Sequence, residues 1–233
     1  MLITAGSTCP GGLWLPSTMG ELVPIPSPGT PLLFGEAGKP VVVVVHDMYG
    51  RVPGLTSYAE ALASRGFRVS VPDLYDGVCT VDEDAARELM GNLEISTALA
   101  EIDDSIAGAQ ATGDEKVGLV GFSVGGWLSL LHAQAGAVDA VVAYYASLAA
   151  ADHGVIPCPV LLQWAETDTW DVGEEPGPFV ERLKDHGTPV TEHSYLGTVH
   201  SFANSNVPAA INARAASLAF ARTAVFLEKY LAS

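Results

Sequence analysis

The most informative part of the sequence is a short glycine-rich segment around Ser123. It reads Gly121-Phe122-Ser123-Val124-Gly125-Gly126 and lies between a predicted buried strand and a predicted helix. A strand that turns directly into a helix imposes strained backbone angles on the residue at the turn, and the neighbouring residues must be glycines to avoid clashes. The side chain at the turn then projects clear of the sheet, at the positive end of the helix. The pattern G-x-S-x-G in this context predicts a nucleophilic serine.

A serine nucleophile needs a general base, usually a histidine that a carboxylate orients. Five histidines follow Ser123 in the chain: His132, His153, His186, His193 and His200. His200 comes after the last predicted strand, in a short loop before the closing helix. The other four lie inside a helix, within a strand or in polar segments. Because chemistry in open α/β sheets sits at the carboxyl ends of the strands, His200 is the predicted base.

The acid is expected between the serine and the histidine, in the chain order typical of such triads. Asp168 and Asp171 both follow the same predicted strand. A short turn at the strand end favours Asp168, because a longer excursion would carry Asp171 away from the imidazole. We therefore predict Asp168 as the acid and keep Asp171 as the alternative; either could instead cap the following helix.

The glycine-rich turn has a second interpretation, as a loop that binds a phosphate or a dinucleotide. Its glycines do not follow G-x-G-x-x-G, and no lysine follows to complete a P-loop. A Rossmann fold would place an acid at the end of the next strand, whereas Asp139 begins that strand. The histidines also lack metal-ligand spacing such as H-E-x-x-H. The sequence thus predicts neither a cofactor nor a metal.

Strands and helices alternate along most of the chain. The predicted strands cover 41–45, 67–71, 116–120, 138–145, 160–164 and 189–195, and the predicted helices cover 56–65, 92–111, 124–135, 179–186 and 209–231. A further helix opens at 82–84, where carboxylates suit the positive end of the dipole. The strands are nearly all apolar, which is typical of strands buried on both faces. The alternation predicts an α/β fold with a mostly parallel sheet between helices.

The first 40 residues differ in composition from the rest of the chain. They are rich in Gly, Pro, Ser and Thr, with prolines at 24, 26, 28 and 31. The segments 13–15 and 32–34 are therefore edge strands at most, because proline is excluded from central strands. No repeat, low-complexity tract or linker divides the sequence. We expect residues 1–233 to form a single domain with an irregular or edge-strand segment over 1–40.

The overall composition excludes several classes of function. A content of 48% hydrophobic and 16% charged residues is typical of a globular protein and excludes disorder. The net charge of −16 disfavours nucleic acids and anionic membranes, which need clustered positive charge. No apolar stretch reaches the roughly 18 residues of a membrane span. Three widely spaced cysteines (Cys9, Cys79 and Cys158) and the absence of a secretory signature predict a cytoplasmic protein.

Taken together, these features resemble the dienelactone hydrolase family of α/β-hydrolases, over about 41–227. Besides the glycine-rich segment, the resemblance rests on His46-Asp47-Met48-Tyr49-Gly50, Val71-Pro72-Asp73-Leu74-Tyr75, Ala143-Tyr144-Tyr145, Glu166-Thr167-Asp168 and His200-Ser201-Phe202-Ala203. It implies a single-domain α/β-hydrolase fold with Ser123 as nucleophile, Asp168 as acid and His200 as base. It also implies an oxyanion hole formed by the backbone N–H groups of Met48 and Val124.

The chain departs from the family pattern at the nucleophile and around the substrate. Ser123 stands where the best-known members carry cysteine, and Asp47 stands where the family usually has glutamate. The family places arginines that hold a substrate carboxylate soon after Asp-Leu-Tyr and just after His-Ser-Phe-Ala. This chain has Asp76-Gly77 and Asn204 at those places, and Arg51 is the one basic residue close in sequence to a site loop. These differences predict a preference for neutral substrates.

We therefore predict a serine hydrolase that cleaves small ester or lactone substrates through an acyl-enzyme, without cofactor, nucleic acid or membrane. The predicted pocket residues come from the loops at the strand ends: Asp47, Tyr49, Tyr75, Phe122, Tyr145, Trp170 and Phe202. One alternative is a thioesterase or acyltransferase with the same triad. Another is a non-catalytic binding protein on the hydrolase fold, which the presence of all three triad residues disfavours.

Overall fold

The computed structural model describes residues 21–113, 115–170 and 175–232. In chain order the elements are β1 (Val23–Pro24), β2 (Leu32–Phe34), β3 (Val41–Val45), α1 (Pro53–Ala63), β4 (Arg68–Val71), β5 (Val78–Cys79), α2 (Glu83–Gly91), α3 (Ile95–Ala109), β6 (Val117–Phe122), α4 (Val124–Ala133), β7 (Ala140–Tyr144), β8 (Val160–Thr167), α5 (Pro176–Asp185), β9 (Val190–Val199) and α6 (Ala213–Leu231). The alternation of strands and helices confirms the predicted α/β class.

Seven of these strands form the central sheet, in the order β2-β4-β3-β6-β7-β8-β9. All neighbours are parallel except β2 and β4, which run antiparallel. Strand β2 lies at the edge, as predicted for 32–34, whereas the segment 13–15 lies outside the described residues. Strands β1 and β5 pair separately in a two-stranded sheet. The sheet is therefore mostly parallel, with its antiparallel exception at one edge.

The core lies on both faces of this sheet. Strand β3 shows why the strands of the sheet are continuous runs of apolar residues. Val42 and Val44 pack on the side of helices α1 and α6, while the alternating residues Val41, Val43 and Val45 pack on the side of α3, α4 and α5. All five valines are fully buried. Because successive side chains point to opposite faces, a strand covered on both faces must be apolar throughout.

Two strands extend further than their apolar residues predict. Strand β8 continues to Thr167 and β9 to Val199, with a register irregularity between Ala165 and Thr167. Most of β9 is partly or fully exposed because it is the edge strand, so polar residues are tolerated there and obscure its end. The consequence is that Asp168 and His200 follow their strands directly.

Three further features concern a helix cap, the cysteines and the lengths of the helices. Helix α2 begins after Asp82, whose carboxylate accepts the N–H of Ala85 at 2.9 Å and caps the helix. Cys79 and Cys158 are buried free thiols, and Cys9 lies outside the described residues. In the described ranges, no helix has the length and apolar character needed to cross a membrane.

Candidate active site

Ser123 occupies a sharp turn between β6 and α4. Its backbone angles are φ 52° and ψ −120°, a conformation that costs energy for any residue with a side chain. A Cβ on Gly121 would overlap the carbonyl of Gly125, and a Cβ on Gly125 would overlap the carbonyl of His46. Both glycines are therefore required by close backbone approaches. The turn holds the serine hydroxyl at the carboxyl edge of the sheet, just before the first turn of α4.

The structure brings the serine, the histidine and the aspartate of the predicted triad into one hydrogen-bonded chain. Ser123 Oγ lies 2.8 Å from His200 Nε2. His200 Nδ1 lies 2.9 Å from Asp168 Oδ1 and 2.8 Å from Oδ2. Ser123 and His200 are buried, with 2% and 7% of their surfaces exposed. The alternative acid, Asp171, lies outside the described residues.

The ends of β8 and β9 hold the acid and the histidine in register. Thr167 pairs with Val199, so the residues that follow them emerge side by side from neighbouring parallel strands. The N–H of Glu166 donates to Thr198 Oγ1 at 3.1 Å, which ties the two strand ends together. The N–H of Trp170 donates to Asp168 Oδ1 at 3.0 Å and closes the turn around the carboxylate. Strand pairing therefore sets the distance between His200 and Asp168.

The two backbone amides predicted to form an oxyanion hole belong to neighbouring segments of the structure. Val124 is the first residue of α4, where an amide has no partner within the helix. Met48 lies in the turn after β3, and β3 is the neighbour of β6, with Val45 opposite Gly121. Both amides thus belong to segments at the same sheet edge as the serine, where a developing negative charge would be stabilised by N–H donors.

Asp47 is a buried carboxylate in the same turn. Its Oδ1 accepts the N–H of Tyr49 at 3.0 Å, and its Oδ2 accepts the amide of Asn204 at 2.7 Å. Burial raises the pKa of Asp47 to about 6, despite these hydrogen bonds and the nearby His200, which lower it. Asn204, which stands where the family pattern has arginine, thus binds Asp47. The pair joins the loop after β3 to the loop after β9.

The aromatic residues predicted to line the pocket fall into three pairs. Tyr145 and Trp170 contact the histidine itself, with ring centroids 4.8 Å and 5.3 Å from His200. Phe122 and Phe202 instead pack around Tyr144, at 4.5 Å and 6.4 Å, beneath the site. The remaining two, Tyr49 and Tyr75, are almost fully buried, with 5% and 8% exposed. Tyr145 is buried as well, at 2% exposed, whereas Trp170 is half-buried, so Trp170 is the aromatic residue best placed to meet a substrate.

Two arginines, Arg51 and Arg87, have different partners in the loops and helices around the site. Arg51 is buried and donates to the carbonyls of Thr30 and Ser27 at 2.7 Å and 2.9 Å, so it holds the N-terminal loops. Arg87 of α2 places its guanidinium 3.9 Å from the ring centre of Trp170, which stacks on His200. It also donates to Glu83 at 2.7 Å. Sequence reasoning missed Arg87, because nothing in the spacing of α2 signals its place beside Trp170.

Among the residues that the structure describes, no group of three or more His, Cys, Asp or Glu side chains is placed to hold a metal ion. His132 is buried in α4 and contacts Asp103 of α3 at 2.7 Å, away from the serine.

A mostly parallel sheet with a serine on the strand-to-helix elbow after β6 is the architecture of the α/β-hydrolases. Comparison with solved structures agrees: a dienelactone hydrolase from Anabaena variabilis superposes with a TM-score of 0.62 at 17% identity, covering 91% of this chain and 99% of that one. A dienelactone hydrolase-like promiscuous phosphotriesterase from metagenomic libraries gives 0.69 at 21% identity, covering 84% and 88%.

Sequence comparison identifies the family. Residues 32–231 match the dienelactone hydrolase family, so the chain belongs to that family and is a hydrolase. The chain is 27% identical over 208 residues to protein usf of Aquifex pyrophilus, covering 83% of this chain and 90% of that protein. It is 28% identical over 207 residues to a carboxymethylenebutenolidase of Rhodococcus opacus, covering 82% and 81%.

Proposed function

We propose that the protein is a serine hydrolase that cleaves small esters or lactones through an acyl-enzyme. The observation that carries this proposal is the unbroken chain of short hydrogen bonds from Ser123 through His200 to Asp168. The Rhodococcus relative supports the substrate class, because it is named a carboxymethylenebutenolidase and a butenolide is an unsaturated lactone.

The first chemical step uses the fixed orientation of the imidazole. A carboxylate accepts hydrogen bonds and does not donate them, so Asp168 selects the tautomer with the proton on Nδ1 and leaves the lone pair of Nε2 facing Ser123 Oγ. As Oγ attacks the substrate carbonyl, His200 Nε2 takes the hydroxyl proton. A serine needs this proton removal during attack, whereas a cysteine can form a thiolate beforehand.

The intermediate and its collapse follow from the same geometry. The backbone N–H groups of Met48 and Val124 would stabilise the tetrahedral oxyanion, at about 3 kcal/mol for each donor. The imidazolium then returns its proton to the leaving oxygen, and the C–O bond breaks to give the acyl-enzyme. In a lactone, that oxygen stays attached to the acyl group. A water molecule then attacks the acyl-enzyme ester while His200 takes its proton. The bond between Ser123 Oγ and the acyl carbon breaks, and the imidazolium returns the proton to Oγ as the acid is released.

The charges around the site favour a neutral substrate. A carboxylate near the scissile bond would have to be paired on binding, because an unpaired buried charge costs several kcal/mol. Arg51 is already bound by loop carbonyls, and Arg87 is already paired with Glu83. The net charge of −16 adds repulsion that salt partly screens.

Labelling with an organophosphate tests the nucleophile directly. We expect one covalent adduct, located at Ser123 by mass spectrometry, with loss of esterase activity in proportion to labelling. Ser123→Ala should abolish both, and its matched control is Ser217→Ala, which removes an exposed hydroxyl from α6. Full turnover by Ser123→Ala would refute the proposal.

Activity assays on the same purified protein distinguish the proposed hydrolase from a thioesterase, an acyltransferase and a non-catalytic binding protein. A thioesterase would hydrolyse a thioester faster than the oxygen ester of the same acyl group, and an acyltransferase would transfer the acyl group to an added alcohol in preference to water. A non-catalytic binding protein would neither turn over an activated ester nor take up label at Ser123. We expect oxygen esters or lactones to be the better substrates.

A further inference from the structure

His46, the last residue before the turn that follows β3, has both ring nitrogens engaged. The N–H of Leu74 donates to Nε2 at 3.1 Å, and Nδ1 lies 2.7 Å from the carbonyl oxygen of Asp47. A backbone amide can only donate, so Nε2 must be the acceptor and Nδ1 must carry the proton. The ring is 1% exposed, and burial lowers the pKa of His46 to about 4. His46 is therefore a neutral donor to the carbonyl of Asp47.

This hydrogen bond acts on the peptide bond that supplies the predicted oxyanion-hole amide. The carbonyl of Asp47 also accepts the N–H of Gly50 at 3.1 Å, in a turn that Gly50 closes with a φ of 83°. The Asp47–Met48 peptide is trans, so its N–H points away from its carbonyl. Two donors that hold the carbonyl on one side thereby hold the N–H of Met48 on the other.

The preceding peptide bond, between His46 and Asp47, packs against the nucleophile elbow. The carbonyl of His46 packs so closely on Gly125 that no side chain fits between them. Gly125 follows Val124, the second predicted oxyanion donor, and lies two residues after Ser123. The N–H of Met48 is the other predicted oxyanion donor, so rotation of the Asp47–Met48 peptide would turn that donor away and present a carbonyl oxygen in its place.

We propose that His46 is a positioning residue of the oxyanion hole, whose Nδ1–H holds the carbonyl of Asp47 so that the N–H of Met48 faces the reacting carbonyl. This inference rests on the proposed serine hydrolase function. His46 touches no reacting atom and acts through the backbone alone. Its loss should lower the rate of the chemical step without weakening the binding of a neutral substrate, since the oxyanion donors matter most in the transition state.

Two amide substitutions separate the two hydrogen bonds of the ring. In His46→Asn, the side-chain NH2 takes the place of Nδ1 and can still donate to the Asp47 carbonyl, while the contact with Leu74 is lost. In His46→Gln, the longer side chain reaches the place of Nε2 and can accept the Leu74 amide, but the donor to Asp47 is lost. Each variant keeps one of the two hydrogen bonds, so each serves as the control for the other.

We expect His46→Gln to lower kcat for a neutral activated ester about 100-fold, with KM changed less than about twofold. We expect His46→Asn to keep kcat within about fivefold of the wild type. His132→Asn is the control for replacing a buried histidine away from the serine, and it should leave both constants unchanged. Melting temperatures verify that each variant is folded.

The outcomes separate this inference from the function on which it rests. If organophosphate fails to label Ser123 in the wild type, the hydrolase proposal fails, whatever the variants do. If Ser123 is labelled and His46→Gln retains wild-type kcat, or His46→Asn loses as much as His46→Gln, the positioning role is refuted. Should His46→Gln fail to fold, a kcat for His46→Asn near that of the wild type supports the role, and a tenfold or greater loss overturns it.

Discussion

Replacement of Asp47 by asparagine should change how the stability of the protein varies with pH. The carboxyl group is 4% exposed, and burial raises its pKa from 3.8 to about 6. The hydrogen bonds from Asn204 and Tyr49 lower the pKa of Asp47 but do not offset burial. In the native protein this group therefore holds its proton at pH values where the unfolded chain has lost it.

The sign and size of the effect follow from that difference. Between about pH 4 and pH 6 the native state binds more protons than the unfolded state, so the free energy of unfolding decreases as pH rises. A shift of about two pKa units corresponds to about 3 kcal/mol in total. Of this, about 2 kcal/mol should be lost between pH 4.5 and pH 7.5. Asparagine does not titrate, so Asp47→Asn lacks this loss.

Urea unfolding of the wild type and of Asp47→Asn at several pH values measures the effect. Any constant cost of the substitution cancels when the difference between the two proteins is followed across pH. We expect that difference to move by about 2 kcal/mol in favour of the variant between pH 4.5 and pH 7.5. Asp152→Asn, at an exposed position, is the matched control and should show no such trend. Parallel curves for the wild type and Asp47→Asn would refute the reasoning.

Three further predictions concern the triad, the elbow and substrate charge. Asp168→Asn should lower kcat/KM for an activated aryl ester about 10⁴-fold, because an amide favours the wrong tautomer of His200; a loss below tenfold would contradict this role. Gly125→Ala should cost about 3 kcal/mol and lower the melting temperature by about 6–12 °C, because its methyl group would overlap a backbone carbonyl; an unchanged melting temperature would contradict the elbow geometry. A neutral lactone should be cleaved at least about tenfold faster than its carboxylated counterpart, in kcat/KM, with the ratio unchanged in Arg87→Gln. Faster cleavage of the anionic member, lost in Arg87→Gln, would assign that arginine to the substrate.

The sequence by itself determined the fold class and the candidate nucleophile, because both depend on local patterns. The run Val41–Val45 is continuous in the chain, and a strand buried on both faces requires such a run wherever it occurs. The glycine pattern around Ser123 is also local. Its glycines are required because a side chain there would overlap backbone atoms a few residues away or in the neighbouring strand. Such signals need no knowledge of distant contacts.

The strand ends at the site were harder to predict. The apolar patterns end at 164 and 195, whereas the strands continue to Thr167 and Val199. Pairing between β8 and β9 extends both strands, and the exposed edge of β9 tolerates polar residues that look like a loop. The sequence alone showed that Asp168 precedes His200 in the chain. It did not show that the two residues leave the ends of paired neighbouring strands side by side.

Only the tertiary structure decided which polar groups meet around the site. Asp47 binds Asn204, 157 positions further along the chain, and Arg87 lies over Trp170 although α2 gives no sign of it. Arg51, close in sequence to the site, instead binds carbonyls of the N-terminal loops. A buried charge or amide must find partners wherever the packed loops place them, and that placement depends on the whole sheet rather than on neighbouring residues.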